Sequence, residues 1–255
     1  MVVGGGFIGC EVAATASNLG IEVTIVESQD VPLSHVLGEE AGKVISELHV
    51  KNGIRMKCGV EVQEIRGDSQ VEGVLLKDGT LLEADLVIVG IGALPNTEWL
   101  ENSGLTIENG VCCDQTCLAA PNIVAAGDVA RWEHQGYGKS IRLEHWDNAA
   151  EQGKHAALRL LQTEAEALPY APIPWFWSDQ FDRKIQLAGI SDPEDDFEVI
   201  VDSPGEGRYT AIYGNEGRLK AVLGINRPRH VMQFKSLMEN KASWKEALEF
   251  ARGIG

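Results

Sequence analysis

A glycine-rich turn near the start of the chain has the most specific chemistry. It runs Gly4-Gly5-Gly6-Phe7-Ile8-Gly9, between a short apolar segment and a helix of small residues. Gly4 allows a tight turn, Gly6 lets the backbone approach a diphosphate at the helix N-terminus, and Gly9 lets helix and strand pack closely. Glu27, which ends the next predicted strand, can accept hydrogen bonds from an adenosine ribose. The spacing predicts dinucleotide binding; the alternative is a glycine-rich turn beside a surface glutamate.

Glu27 also favours one cofactor over another. A carboxylate beside the ribose repels a 2′-phosphate, and the following Ser28-Gln29-Asp30 contains no arginine to bind one. We therefore expect NADH rather than NADPH.

A second pattern, Ala125-Ala126-Gly127-Asp128, follows a predicted strand that we expect to be buried. By local chemistry alone, Asp128 could equally cap a turn or a helix.

The five cysteines form no C-x-x-C pair, and their odd number is a poor disulfide framework. These features favour a reducing, cytoplasmic setting, and no cluster of residues predicts a metal site.

Composition excludes several classes of function. The 255 residues include 22 Lys and Arg against 38 Asp and Glu, a net charge of −16 with His neutral, which repels a nucleic-acid backbone. The longest uncharged apolar run, about Leu86–Pro95, is about half of what a bilayer span needs, and no secretory signal precedes it. We expect a chain without nucleic-acid binding and without a membrane span.

The segments that position these residues predict an α/β fold. Residues 1–26 have the pattern of strand, glycine turn, helix and strand, and a helix over 38–52 leads to a strand over 54–57. Short strands separated by turn residues over 60–83 predict an antiparallel meander, followed by a buried strand over 86–89. A helix is predicted over 147–161.

The composition changes after Leu168. Pro169, Pro172 and Pro174 form a stiff connection, and a separate α+β unit is predicted beyond them. Strands are predicted over 184–188, 197–201, 209–213 and 219–224. A pair of amphipathic helices is predicted over 227–250.

Five stretches together resemble a known family, the two-dinucleotide flavoprotein reductases, in its ferredoxin and rubredoxin reductase branch with apoptosis-inducing-factor-like proteins. They occur in the family's order: Val2–Ala13 (VVGGGFIGCEVA), Val87–Asn96 (VIVGIGALPN), Pro121–Ala130 (PNIVAAGDVA), Arg142–Gly153 (RLEHWDNAAEQG) and Pro174–Gln180 (PWFWSDQ). The resemblance implies a Rossmann-like NAD(H) domain with a β-meander over 1–90, the returning half of an FAD domain over 91–168, and a C-terminal reductase α+β domain over 169–255.

By this resemblance the chain is an NADH-dependent flavoprotein oxidoreductase that passes electrons from NADH through FAD to a small iron–sulfur carrier such as ferredoxin or rubredoxin. The alternative is a redox-responsive NAD(H)- and FAD-binding protein of the apoptosis-inducing-factor kind with little turnover. Arg227 and Arg229 are candidates for docking the carrier, or form a solvated helix entry. The electron acceptor and the oligomeric state stay open.

The resemblance also implies roles on the NADH side. Phe7 matches the aromatic residue whose ring lies against nicotinamide and flavin, or is an ordinary apolar residue at a helix start. Glu11 matches a glutamate near the nicotinamide, and Gly92 matches a glycine that passes close to NAD. Ile8 is grouped with the glycines of the turn as cofactor-binding.

On the flavin side, Asp128 matches the aspartate that binds the FAD ribityl chain. Glu144, His145 and Trp146 match the stretch at the flavin edge, or form a plain helix entry. Trp177 matches the aromatic residue that closes over flavin and nicotinamide, or belongs to the core. Of all these residues, Phe7, Glu11, Glu144 and Trp177 are the ones expected to take part in catalysis.

The first predicted strand is short. Only Met1, Val2 and Val3 precede the glycine turn, where about five or six residues are usual. The family's other FAD fingerprint has no counterpart in this sequence. We therefore expect a fragment of a longer protein, with weak FAD binding and impaired activity as an isolated chain.

Overall fold

The computed structural model describes residues 1–203 and 205–254. These form two compact units, one made of residues 1–92 with the described residues from 177 onward, and the other of residues 93–176. The three-domain division expected from the sequence stays a prediction. None of the helices in the described part of the chain combines the length and apolar character that a membrane span needs.

The first part of the larger unit is a parallel sheet with its connecting helices. Its elements are β1 (Val2–Val3), α1 (Phe7–Asn18), β2 (Thr24–Val26), α2 (Ser34–Lys51), β3 (Arg55–Lys57), β4 (Val62–Arg66), β5 (Gly73–Leu76), β6 (Leu81–Glu83) and β7 (Ile88–Val89). The strand order is β3-β2-β1-β7 and every pair is parallel. Strands β1 and β2, joined by α1, form the predicted βαβ unit. Helix α2 begins four residues earlier than predicted and is interrupted at Gly38, whose backbone is not helical.

The meander is confirmed, because β4, β5 and β6 pair antiparallel in that order. Val74 and Leu76 of β5 are buried in one cluster with Val26 of β2. The prediction of a buried strand over 86–89 is wrong: β7 is the edge of its sheet, and Leu86 and Val89 are 64% and 51% exposed. Apolar composition predicts that a strand exists, but its burial depends on what packs against the sheet edge.

The smaller unit is built from short strands and one long helix. Its elements are β8 (Val111–Cys113), β9 (Leu118–Ala120), β10 (Ile123–Val124), a 3-10 turn (Gly127–Val129), β11 (Ala130–His134), β12 (Lys139–Ile141) and α3 (Trp146–Arg159). Trp132 is fully buried and its indole N–H donates to the Tyr170 carbonyl at 2.9 Å. The strand before Gly127 was also expected to be buried, yet Ile123 is 44% exposed. Strands β8, β9, β11 and β12 were not predicted.

The C-terminal part of the larger unit is the predicted α+β arrangement. Its elements are β13 (Trp175–Gln180), whose first two residues belong to the smaller unit, β14 (Arg183–Gly189), β15 (Asp196–Ser203), β16 (Arg208–Asn215), β17 (Arg218–Ile225), α4 (Pro228–Glu239) and α5 (Trp244–Arg252). The sheet order is β13-β14-β17-β16-β15. The pairs β14–β17, β17–β16 and β16–β15 are antiparallel. Helices α4 and α5 pack through Phe234 and Phe250, whose rings lie edge to face at 5.3 Å.

A buried histidine joins α2 to this C-terminal sheet. His49 is fully buried, and its Nε2 lies 3.0 Å from the Gln180 side-chain oxygen. The Gln180 amide nitrogen donates to Ser178, so His49 must be the donor in its own contact, and its Nδ1 has no partner among the described residues. Burial lowers the pKa of His49 below its ordinary value of 6.5, although the Gln180 contact opposes this.

The free energy of unfolding is expected to fall as the pH is lowered through about 6.5, because the unfolded chain then binds a proton that native His49 does not. Above that pH the contribution of His49 is fully present. Urea unfolding of the wild type and of His49→Asn over this range measures it, and the pH dependence should be shallower in the variant. His35→Asn, at an exposed imidazole, is the control; equal slopes in wild type and His49→Asn would contradict the prediction.

Candidate functional site

The glycine turn lies between β1 and α1, at the carboxyl end of the parallel strands. The Gly4 N–H donates to the Val26 carbonyl of the neighbouring strand at 2.8 Å. Gly4 has a φ of +103°, and a Cβ at this position would lie within 3.0 Å of the Gly90 carbonyl oxygen. Both the backbone conformation and the close approach to the residue after β7 therefore require glycine.

The packing around Gly6 differs from the packing around Gly9. A Cβ on Gly9 would overlap the Gly4 carbonyl oxygen, so Gly9 is what lets α1 pack against its own incoming strand. Gly6 is the N-cap residue of α1 with φ −74°, and a Cβ there would meet nothing within 4 Å. The fold does not need a glycine at position 6, and the space in front of the helix N-terminus is open for an anion.

The Glu27 carboxylate is held against this turn. Its Oε2 accepts the Gly5 N–H at 2.6 Å, and its Oε1 accepts the Gln29 N–H at 2.8 Å and the Ser28 hydroxyl at 3.0 Å. Glu27 directly follows β2 and is half-buried. These bonds fix the orientation of the carboxylate, and its remaining lone pairs can accept from the hydroxyls of a sugar.

The smaller unit contains a second turn with a left-handed glycine. Gly127 has φ +72°, and its N–H donates to the Gln152 side-chain oxygen at 2.9 Å. Asp128 follows with an exposed side chain, and its own carbonyl accepts from Arg142 at 3.0 Å. The turn therefore presents the Asp128 carboxylate to solvent from a backbone that is fixed on both sides.

Glu144, His145 and Trp146 lie at the start of α3. Glu144 pairs with Arg142 at 2.7 Å, and Trp146 is 77% exposed. The His145 ring lies 4.7 Å from the Phe176 ring, and its buried Nδ1 has no hydrogen-bond partner among the described residues. Burial lowers the pKa of His145, against the opposing charges of Asp128 and Glu144, so the ring is neutral near pH 7.

Comparison with known proteins decides the family. Residues 1–153 match the family model described as pyridine nucleotide-disulphide oxidoreductase, and residues 175–250 match the model of a reductase C-terminal domain. The chain belongs to the pyridine nucleotide-disulphide oxidoreductase family.

Several relatives of this family member are ferredoxin reductases. The chain is 36% identical to the ferredoxin reductase subunit of 5,5'-dehydrodivanillate O-demethylase from Sphingobium sp., covering 93% of this chain and 58% of that protein. It is 34% identical to putidaredoxin reductase from Pseudomonas putida, covering 94% and 57%. The crystal structure of a covalent putidaredoxin reductase–putidaredoxin complex matches with a TM-score of 0.86 at 33% identity, over 94% of this chain and 58% of that one. The chain thus spans less than two thirds of the length of these relatives.

Membership of the family leaves the individual roles of the other predicted residues as predictions. Phe7 is the first residue of α1 and is half-buried, and Ile8 beside it is 70% exposed. Glu11 forms no ion pair with any residue that the structure describes. Gly92 has φ +106° and open space where a Cβ would lie, and Trp177 is partly exposed on β13.

The cysteines of this chain do not resemble a redox pair. All five are free, and Cys10, Cys113 and Cys117 are buried. Burial raises the pKa of Cys10 and Cys117 to about 12 and that of Cys113 to about 11, so all three are thiols at neutral pH.

Gln152 is a site residue that the sequence did not single out. It is fully buried, accepts from the Gly127 N–H and donates to Cys117 at 3.5 Å. Gln152 lies inside one of the recognised stretches, yet nothing in its local pattern shows that its partner is 25 residues away. The residue fixes the turn that carries Asp128.

Gln152→Leu is expected to lower the free energy of unfolding by roughly 1–3 kcal/mol, because it leaves the Gly127 N–H buried without an acceptor. Urea unfolding measures the change. Lys154→Leu, which puts the same side chain on an exposed position of α3, should change stability little. A Gln152→Leu variant as stable as Lys154→Leu would contradict the role assigned to Gln152.

Proposed function

We propose that this chain binds NADH at the glycine turn and forms part of a flavoprotein oxidoreductase that passes electrons from NADH through FAD to a small iron–sulfur carrier. The observation that carries the proposal is the Glu27 carboxylate, held by the Gly5 N–H at 2.6 Å beside an open helix N-terminus. Family membership and the names of the relatives support the same function.

On the NADH side, the backbone N–H groups at the start of α1 would bind the diphosphate, because a helix N-terminus carries partial positive charge. Glu27 would accept hydrogen bonds from the adenosine ribose. Ser28, Gln29 and Asp30 supply no positive charge for a 2′-phosphate, so the carboxylate at the strand end disfavours NADPH.

The smaller unit has groups that fit one end of FAD. Asp128 offers an exposed carboxylate to hydroxyls of the ribityl chain, and the buried Nδ1 of His145 lacks a partner among the described residues. Bound there, FAD would supply a hydride acceptor for nicotinamide and a donor of single electrons. The chain's own part is to bind, orient and exclude water, since no side chain needs to transfer a proton in the hydride step.

Titration with NADH tests the proposal. We expect saturable binding by calorimetry, with NADPH at least about tenfold weaker because of the Glu27 carboxylate. Absence of NADH binding, or equal affinity for the two nucleotides, would overturn the NADH assignment. No observation on this chain favours the alternative of a redox-responsive protein with little turnover.

The iron–sulfur carrier must dock against a chain that is acidic overall. Small carriers of this kind are usually acidic, so we infer a local basic surface at the start of α4. Arg229 is exposed there, whereas Arg227 is half-buried with its guanidinium 2.7 Å from His230. The crystal structure of the related putidaredoxin reductase in covalent complex with putidaredoxin supports the proposal that this chain also docks a protein partner.

Reversing Arg227 and Arg229 to Glu is expected to slow reduction of an iron–sulfur carrier by about tenfold at low ionic strength, with Arg229 contributing most because it is exposed. Reduction of a small neutral dye should not change. Arg252→Glu, which alters the charge equally at an exposed site at the end of α5, is the control for Arg229→Glu. Equal slowing with carrier and dye would contradict this docking surface.

A further inference from the structure

The first turn of α2 is a separate piece of structure. Leu33 precedes it with φ 60°, and Gly38 ends it with φ 76° and ψ 169°. Regular helical hydrogen bonding requires helical dihedral angles at each residue, so the break at Gly38 separates Ser34–Leu37 from the rest of the helix. This turn follows the loop 28–32, which leads away from Glu27.

The C-terminal sheet binds the carbonyl groups of this turn. The Ser191 hydroxyl, just after β14, donates to the Val36 carbonyl at 2.6 Å. The Tyr213 hydroxyl on β16 donates to the Leu37 carbonyl at 2.9 Å, and the tyrosine is only 2% exposed. Two side chains distant in sequence therefore hold the backbone beside the Gly38 break.

On one side of the first turn of α2, side chains leave a cavity. A cavity of about 690 Å³ lies there, lined by the loop, by the turn and by β15 and β16, and its lining includes Asp30, His35, Leu37, Phe197 and Tyr213. Side chains do not fill this space, so the position of the turn on this flank depends on the two hydroxyl bonds together with the buried side chains of Leu33 and Leu37.

The other flank is packed as far as the glycine turn. A Cβ on Gly42 of α2 would lie 2.5 Å from the Pro32 carbonyl oxygen and 2.7 Å from Val31 Cγ1. A Cβ on Gly5 would lie 3.1 Å from Pro32 Cβ and 3.0 Å from Glu27 Oε2. Pro32 is therefore wedged between the body of α2 and the glycine turn. The Val36 and Leu37 N–H groups donate to the carbonyl of Leu33, the residue after Pro32, at 2.9 and 2.8 Å, so a displacement of the first turn is passed to Pro32 and to the wall of the nucleotide site.

We propose that Tyr213 and Ser191 are positioning residues for nucleotide binding: through the first turn of α2 and Pro32, they hold Glu27 and Gly5 in the arrangement that binds the adenosine ribose. This proposal rests on the proposed NADH site. Coupling between two sites is reciprocal, so NADH must also stabilise the contact between the C-terminal sheet and α2.

Calorimetric titration of Tyr213→Phe and Ser191→Ala with NADH and with ADP-ribose tests the proposal. Each variant should bind both ligands up to about fivefold more weakly, because binding must then restore the placement that one neutral hydrogen bond maintains in the wild type. Reduced nicotinamide mononucleotide, which lacks the adenosine, should bind the variants and the wild type equally. A purely structural role would lower the melting temperature without this difference between ligands.

Thr210→Val is the matched control. Thr210 lies on β16 on the opposite face from Tyr213, and its buried hydroxyl lies 3.2 Å from His230 Nδ1. The variant removes a buried hydroxyl contact from the same strand, and its affinity for NADH should equal that of the wild type. Hydrogen exchange adds a readout without turnover: NADH should slow exchange at β16 in the wild type and less so in Tyr213→Phe.

The outcomes separate the two proposals. Failure of the wild type to bind NADH and ADP-ribose overturns the proposed function, and the positioning role with it. Binding by the wild type with unchanged affinity in both Tyr213→Phe and Ser191→Ala overturns the positioning role alone. An equal loss in Thr210→Val also overturns it, because any weakening of the sheet would then have the same effect.

Discussion

Glu27→Ala is expected to weaken NADH binding by about 10- to 100-fold. The substitution removes the acceptor for the ribose, and it also removes the acceptor that now holds the Gly5 N–H at 2.6 Å and the Gln29 N–H at 2.8 Å. Hydrogen bonds to a charged group contribute roughly 1.5–3 kcal/mol each, which gives this range of affinity. Calorimetry with NADH and NADPH measures it, and the preference for NADH should shrink because the repelling charge is gone.

Two further variants separate the causes. Glu27→Gln keeps the shape and an acceptor oxygen but loses the charge, so it should lie between wild type and Glu27→Ala. Glu22→Ala removes a carboxylate that is 90% exposed and only 3.7 Å from Arg55, and it should bind NADH like the wild type. Unchanged affinity in Glu27→Ala, with normal folding, would mean that the nucleotide does not bind at this turn.

The sequence predicts those elements of the fold that are determined by residues close together in the chain. The glycine turn, the meander and the two C-terminal helices were predicted because periodicity and turn residues act over a few positions. The burial of β7 was wrongly predicted, because an apolar run shows only that a strand is favoured. Whether such a strand is covered depends on elements that its own pattern does not specify.

In the candidate site, too, residues set by local spacing were predicted and their partners distant in sequence were not. Glu27 and Gly4 were predicted from spacing, since a βαβ unit brings the ends of adjacent strands together. The partners that fix them were not: Tyr213 reaches Leu37 across 176 positions, and Gln152 reaches Gly127 across 25. A buried hydroxyl or amide has no local signature, so such positioning residues become visible only when the chain is folded.

Gly9→Ala and Gly6→Ala are expected to separate folding from binding at one turn. A Cβ on Gly9 would overlap the Gly4 carbonyl oxygen, which is backbone and cannot turn aside, so α1 must move away from β1. We expect a loss of roughly 3 kcal/mol or more in the free energy of unfolding, in the range of severe overpacking. Gly6→Ala meets no atom within 4 Å at an ordinary φ of −74°, so its stability should stay within about 0.5 kcal/mol of wild type.

For NADH binding, Gly6→Ala is the informative variant, because its folding is expected to be normal. In Gly6→Ala the new methyl group enters the open space before the α1 N-terminus, where the diphosphate would approach the backbone N–H groups, so NADH affinity should fall at least about tenfold in a normally folded protein. Urea unfolding and calorimetry on the same samples measure both quantities. If Gly6→Ala binds NADH as the wild type does, the diphosphate does not lie at this helix end, whereas a Gly9→Ala protein of normal stability would show that α1 can leave β1 without cost.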